Sequence, residues 1–433
     1  MIEFINIIIQ TALFFTLSIF PINNFTTHNR YFYNNYFRSI AANILILMSL
    51  LLIFSFFNIK LKTVFFIILV LYLFYFLINF KSGKFLIKKR ETILYFIFLL
   101  IFIYSFSLIT AYPLLGWDGI ATWKIKSNFF YNGGNIFEFY NFRDGEPHFY
   151  QYPHLGSYIW AFFWKNSFIE FEYLGRGFYH YIYIFSLFLF IHNFKEWSNF
   201  KKVFLILFIY ISTYDFGLEG YQDYLIFSLL IFVIDLIFNY KKKDFIFLVI
   251  FYSICILLSW IKNEGIIYAC SLIIIYNFVY KKDVSRNLLF ICLFVLSVFF
   301  QFYINLEIYN GKTLFQIPTN TNVFTEINIT LFKNFFLIIW YFFHSILKYP
   351  IWIINLILFL LLYTYKQKKS SEINFIKYFL ALNILFIMGV YLQSPYIEWH
   401  LQTSLDRLVL QTSGFYIYLL LFFIKNKKLN GLG

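Results

Sequence analysis

The sequence predicts an all-α integral membrane protein, a polytopic helical bundle of about 11–13 transmembrane helices with interfacial helices in the first long extracytoplasmic loop. Three observations predict it. Hydrophobic residues make up 61% of the 433 positions and charged residues 13%, whereas soluble domains run to roughly half and a quarter. Apolar runs of about 17–25 residues recur from end to end, each long enough at about 1.5 Å per residue to cross a hydrocarbon core of about 30 Å. The basic residues gather in short clusters between those runs, which is a topology signal.

Taken in order, the first run, 4–20, lacks a basic leader and a small-residue cleavage site and reads as a retained span. Runs 39–57, 62–80 and 92–111 follow, the last behind the cluster Lys81, Lys84, Lys88, Lys89 and Arg90. After a long loop, 112–172, come 173–192, 203–218, 223–239, 245–261, 265–280 and 287–306, punctuated by Lys195, Lys201 and Lys202, by Lys241 to Lys243, and by Lys281, Lys282 and Arg286. The chain closes with 350–365, 374–393 and 413–424, with Lys366, Lys368 and Lys369 between the first two and Lys425, Lys427 and Lys428 after the last. These six clusters hold more than half of the 35 basic residues. One alternation puts all of them in the cytoplasm if 155–166 and 331–347 are interfacial helices, and it sends two thirds of the 21 acidic residues to the outer face. Lys60 and Lys62 then fall outside. The whole of 1–433 reads as one transmembrane domain, with N-terminal spans over 1–91, a core over 92–425, and shorter outer loops at 307–349 and 394–412.

Composition also excludes. The formal charge of +14 lies in topological clusters and not along a face, and the 65 Phe and 37 Tyr read as lipid-facing filling, so no nucleic-acid partner is expected. Cys255, Cys270 and Cys292 lie inside apolar runs with neither metal-knuckle nor disulfide spacing. No phosphate-cradling Gly-rich loop or nucleophile elbow is present, which disfavours a nucleotide-driven cytoplasmic enzyme.

Four outer stretches carry chemistry. Gly116-Trp117-Asp118-Gly119 opens the first loop, followed by Trp123, Lys124 and Lys126, and His148-Phe149-Tyr150-Gln151-Tyr152-Pro153-His154-Leu155 closes it. Asp118 follows a span closely enough to sit at the membrane surface, where it can act as a general base or simply cap the next helix. Lys124 and Lys126 can meet a phosphate or lipid headgroups. Asp223, at the start of a span, is costly at that depth unless functional, with helix capping as the alternative. Asp118 and Asp223 could share a divalent cation, Mg or Mn, or divide the roles of base and orienter. In Lys262-Asn263-Glu264-Gly265 a tight turn explains Asn263 and Gly265 but not Lys262 beside Glu264. In Trp399-His400-Leu401-Gln402-Thr403-Ser404-Leu405-Asp406-Arg407, Arg407 can hold a phosphate or pair locally with Asp406.

This arrangement resembles the GT-C superfamily of polytopic glycosyltransferases, which includes protein O-mannosyltransferases and aminoarabinose transferases of lipid A. Asp118 at the head of the first long outer loop, Tyr152-Pro153-His154-Leu155 at its close, the interfacial segment 155–166, Arg176 entering the next span and Asp223 two spans later carry the likeness, which covers roughly 90–425. Trp117-Asp118 with Trp123-Lys124, the 262–265 turn and Ser404-Leu405-Asp406-Arg407 look more narrowly like bacterial members of that superfamily. The resemblance implies an enzyme of the bacterial inner membrane with its site facing outward. It would transfer a sugar, with inversion, from a polyprenyl-phosphate or polyprenyl-diphosphate donor to a glycan, lipid or protein acceptor. Asp118 and Asp223 would be its catalytic carboxylates, and Lys124, Lys126, His148, Tyr152, Lys262, Glu264 and Arg407 its substrate-binding groups. Two other readings stand beside it: a transporter or flippase of lipid-linked glycans, disfavoured by the lack of inverted repeats and of helices broken at matching places, and an O-antigen polymerase- or ligase-like enzyme, which usually carries its large Arg-rich loop late in the chain.

Overall fold

The computed structural model describes residues 2–19, 36–80, 89–111, 113–139, 152–194, 196–213, 219–280, 284–305, 323–363, 370–392 and 397–430. His148, the cluster at 81–88, the lysines at 195, 281–282 and 366–369, and most of loop 307–349 before residue 323 lie outside the described residues. Among those described there is no strand. In chain order the helices are α1 (Ile2–Ile19), α2 (Tyr36–Phe54), α3 (Leu61–Phe80), α4 (Lys89–Ala111), a π-helical segment (Gly119–Lys124) running into α5 (Ile125–Tyr131), α6 (Leu155–Lys165), α7 (Glu172–His192), α8 (Asn199–Ile211), α9 (Asp223–Asn239), α10 (Phe245–Ile261), α11 (Asn263–Tyr280), α12 (Val284–Tyr303), α13 (Val323–Lys348), α14 (Pro350–Tyr363), α15 (Ser371–Leu392) and α16 (Ile397–Asn430).

Six of these, α1, α2, the 93–111 part of α4, α7, α11 and α15, are long and apolar enough to cross a membrane. The peripheral helices turn large apolar side chains outward, among them Phe66, Phe74, Phe96, Leu100, Phe299 and Trp340. In water so much exposed apolar surface would be a liability. The centre is α7, buried along its whole apolar length, packed against α9, which packs in turn against α10 and α16. Tyr183 and Tyr224 stack across the α7–α9 contact at 3.9 Å.

Helix ends sort into two sets. Lys62, at the start of α3, pairs with Glu170 at 2.9 Å. The backbone N–H of Ile169 donates to Asn6 in α1, and Ser55, just after α2, meets His154 at 2.7 Å. The N-termini of α1 and α3 and the C-terminus of α2 therefore lie beside the first long loop, where the charge alternation put Lys62. At the opposite end Arg38 of α2 reaches the last turns of α7 and α9. Its guanidinium donates to both carboxylate oxygens of Asp235, at 2.9 and 3.2 Å, and to Asn193 at 2.9 Å, while Asn239 also donates to Asp235 at 2.9 Å. Arg38 and Asp235 are both buried.

Three elements differ from expectation. The span expected at 203–218 is matched over its first part by α8, 13 residues long and ending at Ile211; 214–218 lie outside the described residues. In place of an outer loop 394–412 and a short final span 413–424 there is one 34-residue helix, α16. Contacts of Gln402 and Asp406 with α13 and of Ser404 with α15 hold its polar first turns helical. The helix expected at 331–347 extends over 323–348. Tyr341 accepts from Gln402 at 2.9 Å and Ser345 donates to Asp406, so α13 runs in the same direction as the first turns of α16 and continues into α14 at Pro350.

Removing one member of a buried ion pair strands the other, at a cost of about 3–5 kcal/mol. Asp235→Ala is therefore expected to lower the thermal unfolding midpoint of the detergent-solubilised protein by several degrees, while Arg38→Met with Asp235→Leu recovers most of the loss. Equal loss in the single and double variants would contradict a stranded-charge origin.

Candidate functional site

The hairpin between α10 and α11 is the site's first component. Lys262 caps the end of α10 and α11 begins at Asn263. A Cβ on Gly265 would lie 1.9 Å from the carbonyl oxygen of Leu258, so only glycine lets the two helices close this tightly. The hairpin aims Lys262 sideways, into Asp223 at 3.0 Å, with Glu264 3.5 Å from the same ammonium.

Asp223 is the first residue of α9, and its carboxylate turns to Lys262 and Gln411. Its Oδ1 accepts from Lys262 and from the Gln411 amide, whose carbonyl accepts from Tyr268 of α11 at 2.7 Å. Asp223 Oδ2 is buried without a hydrogen-bond partner. Burial opposes charge on Lys262, but the Asp223 and Glu264 carboxylates outweigh it and hold the ammonium's pKa above its ordinary value.

The first long loop brings the other carboxylate. The backbone N–H of Gly116 donates to the carbonyl of Glu219 at 3.0 Å, and a Cβ on Gly119 would lie 2.4 Å from that same oxygen. The two glycines let the 116–119 turn lie directly on the chain entering α9. Asp118 stands at the N-terminus of the π-helical segment but caps nothing. Its Oδ2 accepts from Arg407 Nη1 at 2.6 Å, and the guanidinium lies 4.4 Å above the Tyr221 ring. Burial pushes the Tyr221 phenol up, and the neighbouring Glu219 carboxylate adds to the effect. Arg407 and Gln411 lie one turn apart on one face of α16 and so serve the two carboxylates, Asp118 and Asp223.

Of the expected site residues the structure thus gathers Asp118, Asp223, Lys262, Glu264 and Arg407, with Tyr152 close by. The Tyr152 phenol is pushed up by burial first and then by the Glu264 and Asp118 charges. Side-chain accessibility grades across the group: Asp118 keeps 31% and Arg407 14%, against 1% for Asp223 and 5% for Lys262. Asp406 does not pair with Arg407. It turns to Lys348 at 2.9 Å and to Ser345.

Lys124 is exposed at the end of the π-helical segment. Lys126 is buried, its ammonium donating to the carbonyl of Tyr152 and lying 5.4 Å from the centre of the Phe139 ring. Burial lowers its pKa to about 7. His154 is buried nearby, held well below its ordinary pKa by burial and by the Lys126 charge. The residues do not fit a shared divalent cation: Asp118 is closed on Arg407 and Asp223 on Lys262 and Gln411. Among the described residues no group of three or more His, Cys, Asp or Glu could hold a metal ion.

Sequence reading missed Gln411, Tyr221 and Tyr268. The Arg407–Gln411 spacing is a helical i,i+4 signal, invisible while 394–412 was read as loop. Comparison with known protein families, characterised proteins and solved structures finds no match to this chain.

Because Lys126 is disfavoured in its charged form, the destabilisation is complete below pH 7. It is relieved as pH rises from about 7 toward the unfolded lysine's value of about 10. Lys126→Met should therefore raise the thermal midpoint most at pH 6, with a smaller gain at pH 9. A gain independent of pH would show that Lys126 does not titrate in this range.

Proposed function

We propose that the chain is a multi-pass membrane glycosyltransferase that moves a sugar from a polyprenyl-phosphate or polyprenyl-diphosphate carrier to a glycan, lipid or protein acceptor on the extracytoplasmic side. One observation supports this reading above the others. Asp118, Asp223, Lys262, Glu264 and Arg407, drawn from four separate stretches of chain, meet at one end of the bundle. That end is opposite the one where Lys201, Lys202 and Lys241 to Lys243 lie, and positive-inside reasoning makes it extracytoplasmic.

Asp118 is the more accessible catalytic carboxylate and takes the role of general base. It accepts the proton of the acceptor hydroxyl while that oxygen bonds to the anomeric carbon. The bond from that carbon to the carrier phosphate breaks, its electron pair leaves on the phosphate oxygen, and the configuration inverts. Arg407 orients Asp118 in the resting site and offers its guanidinium to the growing phosphate charge. Asp223 and Lys262, buried behind it, fix the field and the position of Gln411 and α16. Lys124, exposed on the first loop, is a cation available to a phosphate or headgroup. Lys126, facing the Tyr152 carbonyl, takes no phosphate in this scheme.

The test is transfer from a panel of labelled polyprenyl-phosphate sugars by the purified full chain in nanodiscs. Asp118→Asn is expected to lower the rate by about 10²–10⁴-fold, the range of a lost general base. Full transfer by that variant would remove Asp118 from the chemistry. Arg407→Ala should lose about 10²–10³-fold in kcat, with Arg407→Lys recovering part because it keeps charge without the planar fork. A vectorial flux of labelled carrier with no sugar transferred would favour the flippase reading.

A further inference from the structure

The turn that carries Asp118 has its polarity reversed from that of a loop in water. Leu114, Trp117 and Ile120, three residues apart in succession, are 80%, 57% and 53% exposed. The residues turned inward are Gly119, Thr122 and Trp123, and Asp118, inside the row, turns to Arg407. Large apolar side chains scattered singly over a surface need no explanation, but a row of three on one short segment does.

The backbone beneath that row is satisfied from within the protein. Arg176 of α7 donates to the carbonyls of Pro113 at 2.8 Å and Leu114 at 3.4 Å. The N–H of Gly116 goes to the Glu219 carbonyl, and the carbonyl of Gly116 accepts from the N–H of Ile120 at 3.0 Å. Pro113 has no N–H to satisfy. Water would meet such groups anyway, whereas in lipid each must find its partner in the protein.

The surroundings of the row say what covers it. Arg176 lies one turn past Glu172, the first residue of α7, so the carbonyls it holds lie beside the first turns of a helix of membrane length. The span in α4 ends at Ala111, three residues before Leu114, and turns Phe96, Leu100 and Tyr104 outward. The row therefore continues the lipid-facing side of α4 beyond the end of that helix. After the buried pair Thr122 and Trp123, Lys124 is exposed, a cation where the apolar row gives out.

We propose that Leu114, Trp117 and Ile120 form a wedge inserted among the lipids of the leaflet at this end of the bundle, with the Trp117 indole at headgroup level and Lys124 on lipid phosphates. The wedge sets the depth of the Asp118–Arg407 pair at the headgroup layer. It holds whether or not that pair serves sugar transfer.

The test places a nitroxide at Trp117→Cys, Ile120→Cys or, as the aqueous control, Asn132→Cys, in the full chain with its three cysteines changed to alanine and reconstituted in phosphatidylglycerol–phosphatidylcholine nanodiscs. Collision with oxygen relative to a water-soluble nickel chelate is expected to be roughly fivefold higher at 117 and 120 than at 132, and close to that at Phe96→Cys. Nickel access at 117 and 120 equal to that at 132 would overturn the proposal, as would shielding from both reagents, the mark of a second protein or a second copy on this face. A phospholipid with a diazirine near the ester end of one acyl chain tests the unsubstituted chain. Label is expected on 113–121, and its absence there with label present around Phe96 would overturn the proposal even if every cysteine variant misfolds.

Discussion

The organisation of the site depends on the contact between Lys262 and Asp223. Both side chains are almost entirely buried, and neither charge could be held there alone, because desolvation without a partner exceeds anything packing could offset. The pairing therefore dictates where three helices meet: the end of α10, the start of α9 and, through Gln411, the middle of α16. Tyr268 ties α11 to the same amide. Once α16 is fixed in rotation by Gln411, Arg407 one turn earlier faces Asp118, and the first long loop has a charge to close upon.

The two carboxylates illustrate how like groups acquire unlike roles from their surroundings. Asp223 accepts from Lys262 and Gln411 while its second oxygen lies buried, so it acts on position and field. Asp118 keeps about a third of its side-chain surface open and contacts one arm of a guanidinium that already stacks on Tyr221. Of these two carboxylates Asp118 is the one open to the outside of the protein. The Arg38–Asp235 pair at the other end of α9 has no such neighbourhood. It fastens α2 to the α7–α9 centre.

The helical segments were legible because apolar runs of membrane length are a strong signal, and the boundaries of α9 and α10 match those runs to the residue. Charge alternation read the ends of α1 to α3 well enough to put Lys62 beside the first long loop, where Glu170 awaits it. The first turns of α16 were illegible. Their polar residues look like loop because local sequence cannot register that Asp406, Arg407 and Gln411 each have a partner on another helix. Arg38 escaped notice for the same reason, since a lone arginine at the start of an apolar run looks like an interfacial anchor until its aspartate is located.

By itself the sequence determined the all-helical character, the order of the apolar helices, and the residues Asp118, Asp223, Lys262, Glu264 and Arg407 as polar groups out of keeping with their surroundings. Period and hydropathy are local properties, written within about twenty consecutive residues. Only the tertiary structure decided which carboxylate meets which cation, that Lys126 points into the protein toward the Tyr152 carbonyl, and that Asp406 and Arg407 part company. Those are contacts between residues far apart in the chain, and they are set by how buried charges can be satisfied together.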